Sequence, residues 1–416
     1  MKEKKLFDRI GCELSACLAN NTEDINPENG DTFFGLPKPY SVPTPGDCFH
    51  EMYYWDTYFT NLGLLAIDNV EQAKNNVEDI IALIERFGFM PNGSRRRYLK
   101  HSQPPFFAQM AREIIGEDSS FDCDFAKRAY EAMKKEHAYF AQNRTFENGL
   151  SHYGFLPTDP DTISSRLGHW KRRTGIDGDP DPAIEVGNYL SYCESGWDCN
   201  PRWETHGFLY AAPDLNSLLW NLEETLARFS SWFEKEETEK WQSLANRRKE
   251  TMNAFLWNEA EGCFMDRQVE SGKFSPVFSA ASFYPLYFGI ATREQAEATI
   301  KKLPLLEREW GIMPCQEVQT EAHFQWGAPT GWPCIQWMIV QALLNYGFRD
   351  DAMRIAQKYI DLLETVEART GQLWEKYNVI TGKADEGAEY ETPPMLGWTA
   401  GVYLKCKLLF EKKRIH

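Results

Sequence analysis

Apolar residues recur at three- and four-residue spacing over much of the chain. Val70, Ala73, Val77, Ile80, Ile81, Ile84 and Phe87 form one stripe. Leu226, Phe229, Trp232, Phe233, Trp241 and Leu244 mark a second, and Ala352, Ile355, Ala356, Tyr359 and Leu363 a third. Spacing near 3.6 residues puts each stripe on one face of a helix. Alternating runs of β-branched residues, the mark of strands, are scarce. The pattern predicts a nearly all-α chain.

Between the stripes lie loops rich in Gly, Pro and aromatic residues. Three share a tetrapeptide form: Gly88-Phe89-Met90-Pro91, Gly154-Phe155-Leu156-Pro157 and Gly311-Ile312-Met313-Pro314. Six helix pairs filling 416 residues would take about 70 residues each, which suits a ring of hairpins. Residues 20–45 read as an irregular arm over the surface, and 164–188, with Gly175, Gly178, Pro180 and Pro182, as a second loop-like region. Long loops in compact domains are often lids or binding elements.

Composition narrows the partners. The net charge is −16, which disfavours nucleic-acid backbones and anionic membranes. No run of 18 apolar residues is present, so no membrane span is expected. The 14 Trp suit either core packing or a pocket walled by flat rings, which fit the apolar faces of sugars. Neutral small molecules remain candidate partners, a small-molecule carbohydrate among them. The ten cysteines include no Cys-x-x-Cys pair, so they read as buried thiols of a reducing cytosol. Asp8, Arg9 and Glu13 interrupt the apolar start, against a signal peptide, and a cytoplasmic protein is expected. Asp177-Gly178-Asp179-Pro180-Asp181 imitates the start of a calcium loop, but Pro182 stands where the turn glycine belongs. Neither a metal nor a cofactor is expected.

Five segments carry candidate chemistry. In Tyr53–Phe59, Asp56 sits among aromatics beside Trp55; burying it is costly without a bonding partner, such as sugar hydroxyls or the backbone N–H groups of a helix it caps. Asn92 and Gln103, in Pro91–Phe107, offer the donors and acceptors that hydroxyl recognition uses. In Glu194–Trp203, Gly196 permits close backbone approach, and Trp197 beside Asp198 is expected to strip water from a general acid. Trp326 and Trp332, within Gln325–Pro333, suit a ring-shaped ligand. Glu375, between Trp374 and Lys376, is a candidate base for water.

These segments stand in an order that resembles the trehalase family of glycosidases, and the related processing-glucosidase and mannosylglycerate-hydrolase group. YYWDTYF, PNGSRRRYLKHSQPPFF, ESGWDCNPRW, QWGAPTGWPCIQW and EKYN are similar to successive signature blocks of that family. The resemblance implies an (α/α)6 toroid, with residues 1–45 as an N-terminal helix and arm packed on a single catalytic domain over 46–416. It implies hydrolysis of an α-glucoside with inversion, Asp198 as general acid and Glu375 as general base. Trp55, Asp56, Asn92, Gln103, Gly196, Trp197, Trp326 and Trp332 then bind substrate. Trehalose leads; kojibiose, nigerose, glucosylglycerate and a phosphorylase reaction are the alternatives.

The match has gaps. Where the family carries arginines, this chain has Cys48 and His101, and where it carries Asp after Gln-Trp, this chain has Gly327. An Arg-Pro-Glu-Ser element has no clean counterpart, although Arg172, Arg173 and Glu185 lie in the right region. The glucose end of the site therefore looks kept and the leaving-group end rebuilt.

Overall fold

The computed structural model describes residues 2–46, 49–116, 122–203, 206–384 and 392–411. In chain order its α-helices are α1 (Lys2–Ala16), α2 (Tyr54–Ala66), α3 (Val70–Phe87), α4 (Phe107–Ile115) and α5 (Cys123–Asn143). Then come α6 (Pro160–Arg166), α7 (His169–Thr174), α8 (Pro182–Ser195), α9 (Pro213–Phe233) and α10 (Thr238–Phe255). The last five are α11 (Tyr284–Tyr287), α12 (Arg293–Ile300), α13 (Pro333–Asn345), α14 (Arg349–Thr370) and α15 (Gly397–Glu411). The strands are two-residue pairings such as Trp257–Asn258 with Cys263–Phe264.

Six of these helices make a closed inner ring. Neighbours touch in the order α2, α4, α9, α11, α13, α15, and α15 packs on α2 to close it. Outside them, α1 lies against α15 and α2, α3 against α2 and α4, and α5 against α4 and α9. Helix α10 lies against α9, and α14 against α13 and α15. Helix α12 packs on the Cys263–Phe264 strand. This is the (α/α)6 toroid.

The sequence explains which helices go inside. Helix α2 is buried almost continuously from Tyr54 to Leu64, and α13 from Pro333 to Leu343; helices apolar all round belong in the interior. Helix α3 buries one stripe and caps its start with Asn69, whose side chain accepts from the Gln72 N–H. The ring closes on a glycine crossing. A Cβ on Gly63 would sit 2.5 Å from the Gly401 Cα, and one on Gly401 would run into the Phe59 carbonyl.

Several expectations need correction. The stripe from Leu226 to Leu244 belongs to two helices: the backbone leaves α9 at Glu234 (φ −143°) and re-enters as α10. The hairpins are unevenly spaced, because residues 144–212 intervene between α5 and α9. Within that stretch the region read as a loop is largely helical. Asp159 caps α6 and Asp181 caps α8, each with Pro at the first position. Asp181 thus serves a helix start, and Asp177 pairs with Lys171 at 2.6 Å. Of the three tetrapeptides, only the first ends a helix; Gly311 lies in a two-residue strand pairing. The arm after α1 pairs Leu18–Ala19 with Tyr40–Ser41 and is pinned by the Ser41 N–H donating to Asn76 at 2.9 Å. No described helix is long and apolar enough to cross a membrane.

Candidate active site

Inner-ring helices start around one cavity. Trp55 and Asp56 lie in the first turn of α2, Trp332 is the N-cap of α13, and Trp398 is the second residue of α15. The cavity measures about 470 Å³, a size suited to a small ligand. Helix N-termini pointing into it favour negative charge. Trp55, Asp56, Asn92, Gln103, Gly196, Asp198, Trp326, Trp332 and Glu375 all line it, so residues from four sequence segments and Glu375 meet in one place.

A tryptophan cluster makes the wall. Trp326 stacks on Trp332 with centroids 4.0 Å apart and planes 3° apart. Trp398 stands edge-on to Trp332 at 5.5 Å and to Trp55 at 5.9 Å. Trp197 does not reach the cavity. It is fully buried behind Trp326, stacked at 5.6 Å, with the Arg202 guanidinium 4.6 Å from its ring. The expectation that Trp197 dries Asp198 fails for this reason: the two neighbours point apart, and the Asp198 side chain stays 32% exposed. Gly196 takes a left-handed conformation (φ 72°), and a Cβ there would lie 2.7 Å from Trp55 Cε2. Glycine is what allows the α8 terminus to meet that ring.

Three carboxyls share the cavity. Asp56 is not the N-cap of α2; Tyr53 occupies that place. Loss of water pushes the Asp56 carboxyl from 3.8 up to about 7, its own backbone N–H opposes this, and the negative charges of Glu375 and Asp198 add to the rise. Asp56 therefore feels both proposed reacting groups. Glu375 is buried, and Lys376 Nζ donates to its Oε2 at 2.6 Å while sitting 5.2 Å from the Trp332 ring. The Glu375 carbonyl accepts from Trp398 Nε1 at 3.1 Å. Gln103 accepts from the Trp55 N–H at 3.3 Å.

Asp198 is held by a residue that motif reading left unplaced. Arg173 Nη2 donates to Asp198 Oδ2 at 2.9 Å and to Gln325 at 3.2 Å, while Nη1 reaches the Tyr189 hydroxyl at 3.0 Å. Arg97, Arg166, His169 and Arg172 line the cavity as well. His101 also lines the cavity, its imidazole pushed down by burial. Trp398, not among the candidate binding residues, lines the cavity as well. Cys48 lies outside the described residues.

Two buried ion clusters hold these loops. Glu194 accepts from Arg144 Nε at 2.7 Å and from the Ser102 N–H at 2.9 Å, tying the Gln103 loop to α8. Burial opposes its charge, but Arg144 holds the Glu194 carboxyl below its usual value. Arg202 lies between Asp214 and Asp266, at 2.7 and 2.8 Å, with all three side chains essentially unexposed. Among the described residues, no cluster of three His, Cys, Asp or Glu is arranged to hold a metal.

The sequence profile described as Trehalase matches residues 9–162 and 190–410. A periplasmic trehalase of Escherichia coli O1:K1 is 33% identical over 416 residues, covering 93% of this chain and 71% of that protein. Another, from Salmonella newport, is 32% identical, covering 93% and 70%. Among solved structures, the neutral trehalase of Saccharomyces cerevisiae has a TM-score of 0.74 and 27% identity, over 96% of this chain and 79% of that one. A mannosylglycerate hydrolase from Thermus thermophilus has a TM-score of 0.64 and 17% identity, over 88% and 95%; that likeness concerns the fold. The two bacterial names put those relatives in the periplasm, which lends no support to a cytoplasmic reading of this chain.

Proposed function

The chain belongs to the trehalase family of glycoside hydrolases, and from that premise we propose that it cleaves the α-glucosidic bond of a small α-glucoside with inversion, trehalose being the first substrate to test. The observation that carries this reading is the meeting of Asp56, Asp198 and Glu375 in one tryptophan-walled cavity. Asp198 donates a proton to the glycosidic oxygen as its bond to the glucosyl carbon breaks. Glu375 takes a proton from the water that attacks the opposite face of the sugar, and the freed water oxygen forms the new bond. Products are glucose of β configuration and the leaving alcohol. Arg173 orients Asp198, and Lys376 fixes the Glu375 carboxylate.

The remaining residues hold the glucosyl ring. Asp56, poised near neutrality between donor and acceptor states, suits a hydroxyl pair; Asn92 and Gln103 offer amides from the adjoining loop. Trp326 and Trp332 supply flat faces for the sugar's C–H surface. A cytoplasmic location is part of the proposal; nine described cysteines stand outside any disulfide, seven of them buried, as a reducing compartment favours.

The test is a panel of trehalose, kojibiose, nigerose, maltose and glucosylglycerate, with the anomer first released read by NMR. β-Glucose is the expected first product. From trehalose it appears with an equal amount of α-glucose, because the leaving unit keeps its own configuration; first release of α-glucose alone would overturn inversion, and strict dependence on inorganic phosphate would replace hydrolysis by phosphorolysis.

A further inference from the structure

Residues 163–189 fall between the two stretches that the trehalase profile matches. This segment spans the end of α6, all of α7 and the first half of α8. It supplies Arg166, His169, Arg172, Arg173 and Tyr189 to the cavity, and Arg97 joins from the loop before α4. Arg166 Nη2 donates to the Arg97 carbonyl at 3.1 Å, which sets those two residues side by side. Arg97 is paired with Asp31 at 2.6 Å, and Arg173 is engaged with Asp198. Arg166 and Arg172 have no carboxylate partner among the described residues. The charge they add is therefore open to a ligand.

The arginines act on one spot. The His169 imidazole is pushed down to about 4, first by burial and then by Arg172, Arg166 and Arg173 around it. In a chain of net charge −16, this is a local reversal of sign at the cavity rim, and a rim of one sign concentrates ligands of the other. The cavity thus joins three carboxyls and the tryptophans to a cluster of guanidinium groups. Arg173, one of that cluster, reaches the proposed acid, Asp198. The group that Asp198 protonates is the leaving oxygen, so what lies beyond Asp198 meets the leaving group.

We propose that the leaving group carries an anion, a carboxylate or a phosphate ester, received by Arg166 and Arg172, so that the preferred substrate is an acidic α-glucoside. This deepens the hydrolase reading and rests on it. Guanidinium forks match both oxyanions in geometry and hydrogen-bond strength.

The experiment compares kcat/KM for trehalose, trehalose 6-phosphate and α-glucosylglycerate, using the full chain, in the wild type and in Arg166→Gln, Arg172→Gln and the double variant. At least one acidic substrate is expected to exceed trehalose by about tenfold or more, the gain of a charge-assisted hydrogen bond. The two acidic substrates separate phosphate from carboxylate recognition. The acidic-to-neutral ratio is expected to fall about tenfold in the double variant, and severalfold in about 0.5 M NaCl through screening. Trehalose as the fastest substrate, or a ratio unmoved by the substitutions, overturns the proposal while leaving hydrolysis intact. If no glucoside is cleaved, the hydrolase reading fails. Calorimetric titration then decides the rim separately. Glucose 6-phosphate or glycerate binding more tightly than glucose, with the advantage lost in the double variant, supports it; equal binding overturns it.

Discussion

Replacing Asp56 by Asn tests the convergence of the carboxyls without depending on any assumed substrate. Asp56 titrates at about 7 in the folded protein against 3.8 for an ordinary aspartate, because the fold strips its water and places Glu375 and Asp198 nearby. A displacement of about three pH units is worth about 4 kcal/mol. The sign follows from proton binding: between pH 3.8 and 7 the folded state holds a proton that the unfolded chain has released. The stability Asp56 contributes is therefore complete below about pH 4 and lost as pH rises to about 7. Asn carries no charge at any pH. Asp56→Asn is thus expected to match the wild type near pH 4 and to exceed it by up to about 4 kcal/mol above pH 7. At about 2.1 cal/mol/K per residue, 416 residues give an unfolding entropy of about 0.9 kcal/mol/K, so the gain is about 4 °C in Tm. Scanning calorimetry of both proteins from about pH 4 to 9 reads it. Glu375→Gln removes one of the like charges and should flatten the wild-type slope. A difference between wild type and Asp56→Asn that stays flat over this range would refute the placement of Asp56 beside two other carboxyls. The same variant should lose kcat/KM on any cleaved glucoside, so the stabilising change and the loss of activity are expected together.

Asp198→Asn and Glu375→Gln should each lower kcat by about 10²–10⁴-fold with a smaller effect on KM; full activity in either sinks that assignment. Gly196→Ala puts a Cβ 2.7 Å from Trp55 and should lower kcat/KM about tenfold through displacement of that ring, with far-UV circular dichroism unchanged; an unimpaired enzyme would deny Trp55 its role. Arg202→Met strands Asp214 and Asp266 in the interior and should cost about 3–5 kcal/mol. Replacing all three charges with apolar residues should be milder than the single change, and denaturant titration that finds the triple variant worse refutes the account.

What sequence could reveal depended on how local each signal is. Trp55 and Asp56 are adjacent, and Asn92 and Gln103 share one loop, so a short block announces each pair. Helices with a stripe on one face were readable for the same reason: α3 shows its stripe within Val70–Phe87. Contacts between distant segments leave no such trace. Arg173 meets Asp198 and Gln325 across 25 and 152 residues, and Arg202 meets Asp266 across 64. Helices α6 and α7 span seven and six residues, too short for a period to show, so a loop was the natural reading of a helical region. Trp197 illustrates the opposite hazard. Adjacency to Asp198 suggested contact, but consecutive side chains diverge, and this one turns into the core against Arg202.

The site divides by origin. Two of the three carboxyls and three of the tryptophans are bound to the ring: Asp56 and Trp55 to the start of α2, Trp332 to α13, Trp398 to α15, and Glu375 to Trp398, whose Nε1 donates to the Glu375 carbonyl. Moving Trp55, Asp56 or Trp398 means shifting helices that interlock at the Gly63–Gly401 crossing. Arg166 and Arg172 belong to short helices, α6 and α7, that pack on α8. Residues there can change without repacking the toroid. Recognition of the proposed leaving group can therefore change largely apart from the ring, with Arg173 linking the two through Asp198, and a chain can keep the family's blocks from Tyr53 to Asn378 while His101 and Gly327 depart from them. The rim is where such a chain acquires a different leaving group, because a guanidinium added there meets the ligand and leaves the core untouched.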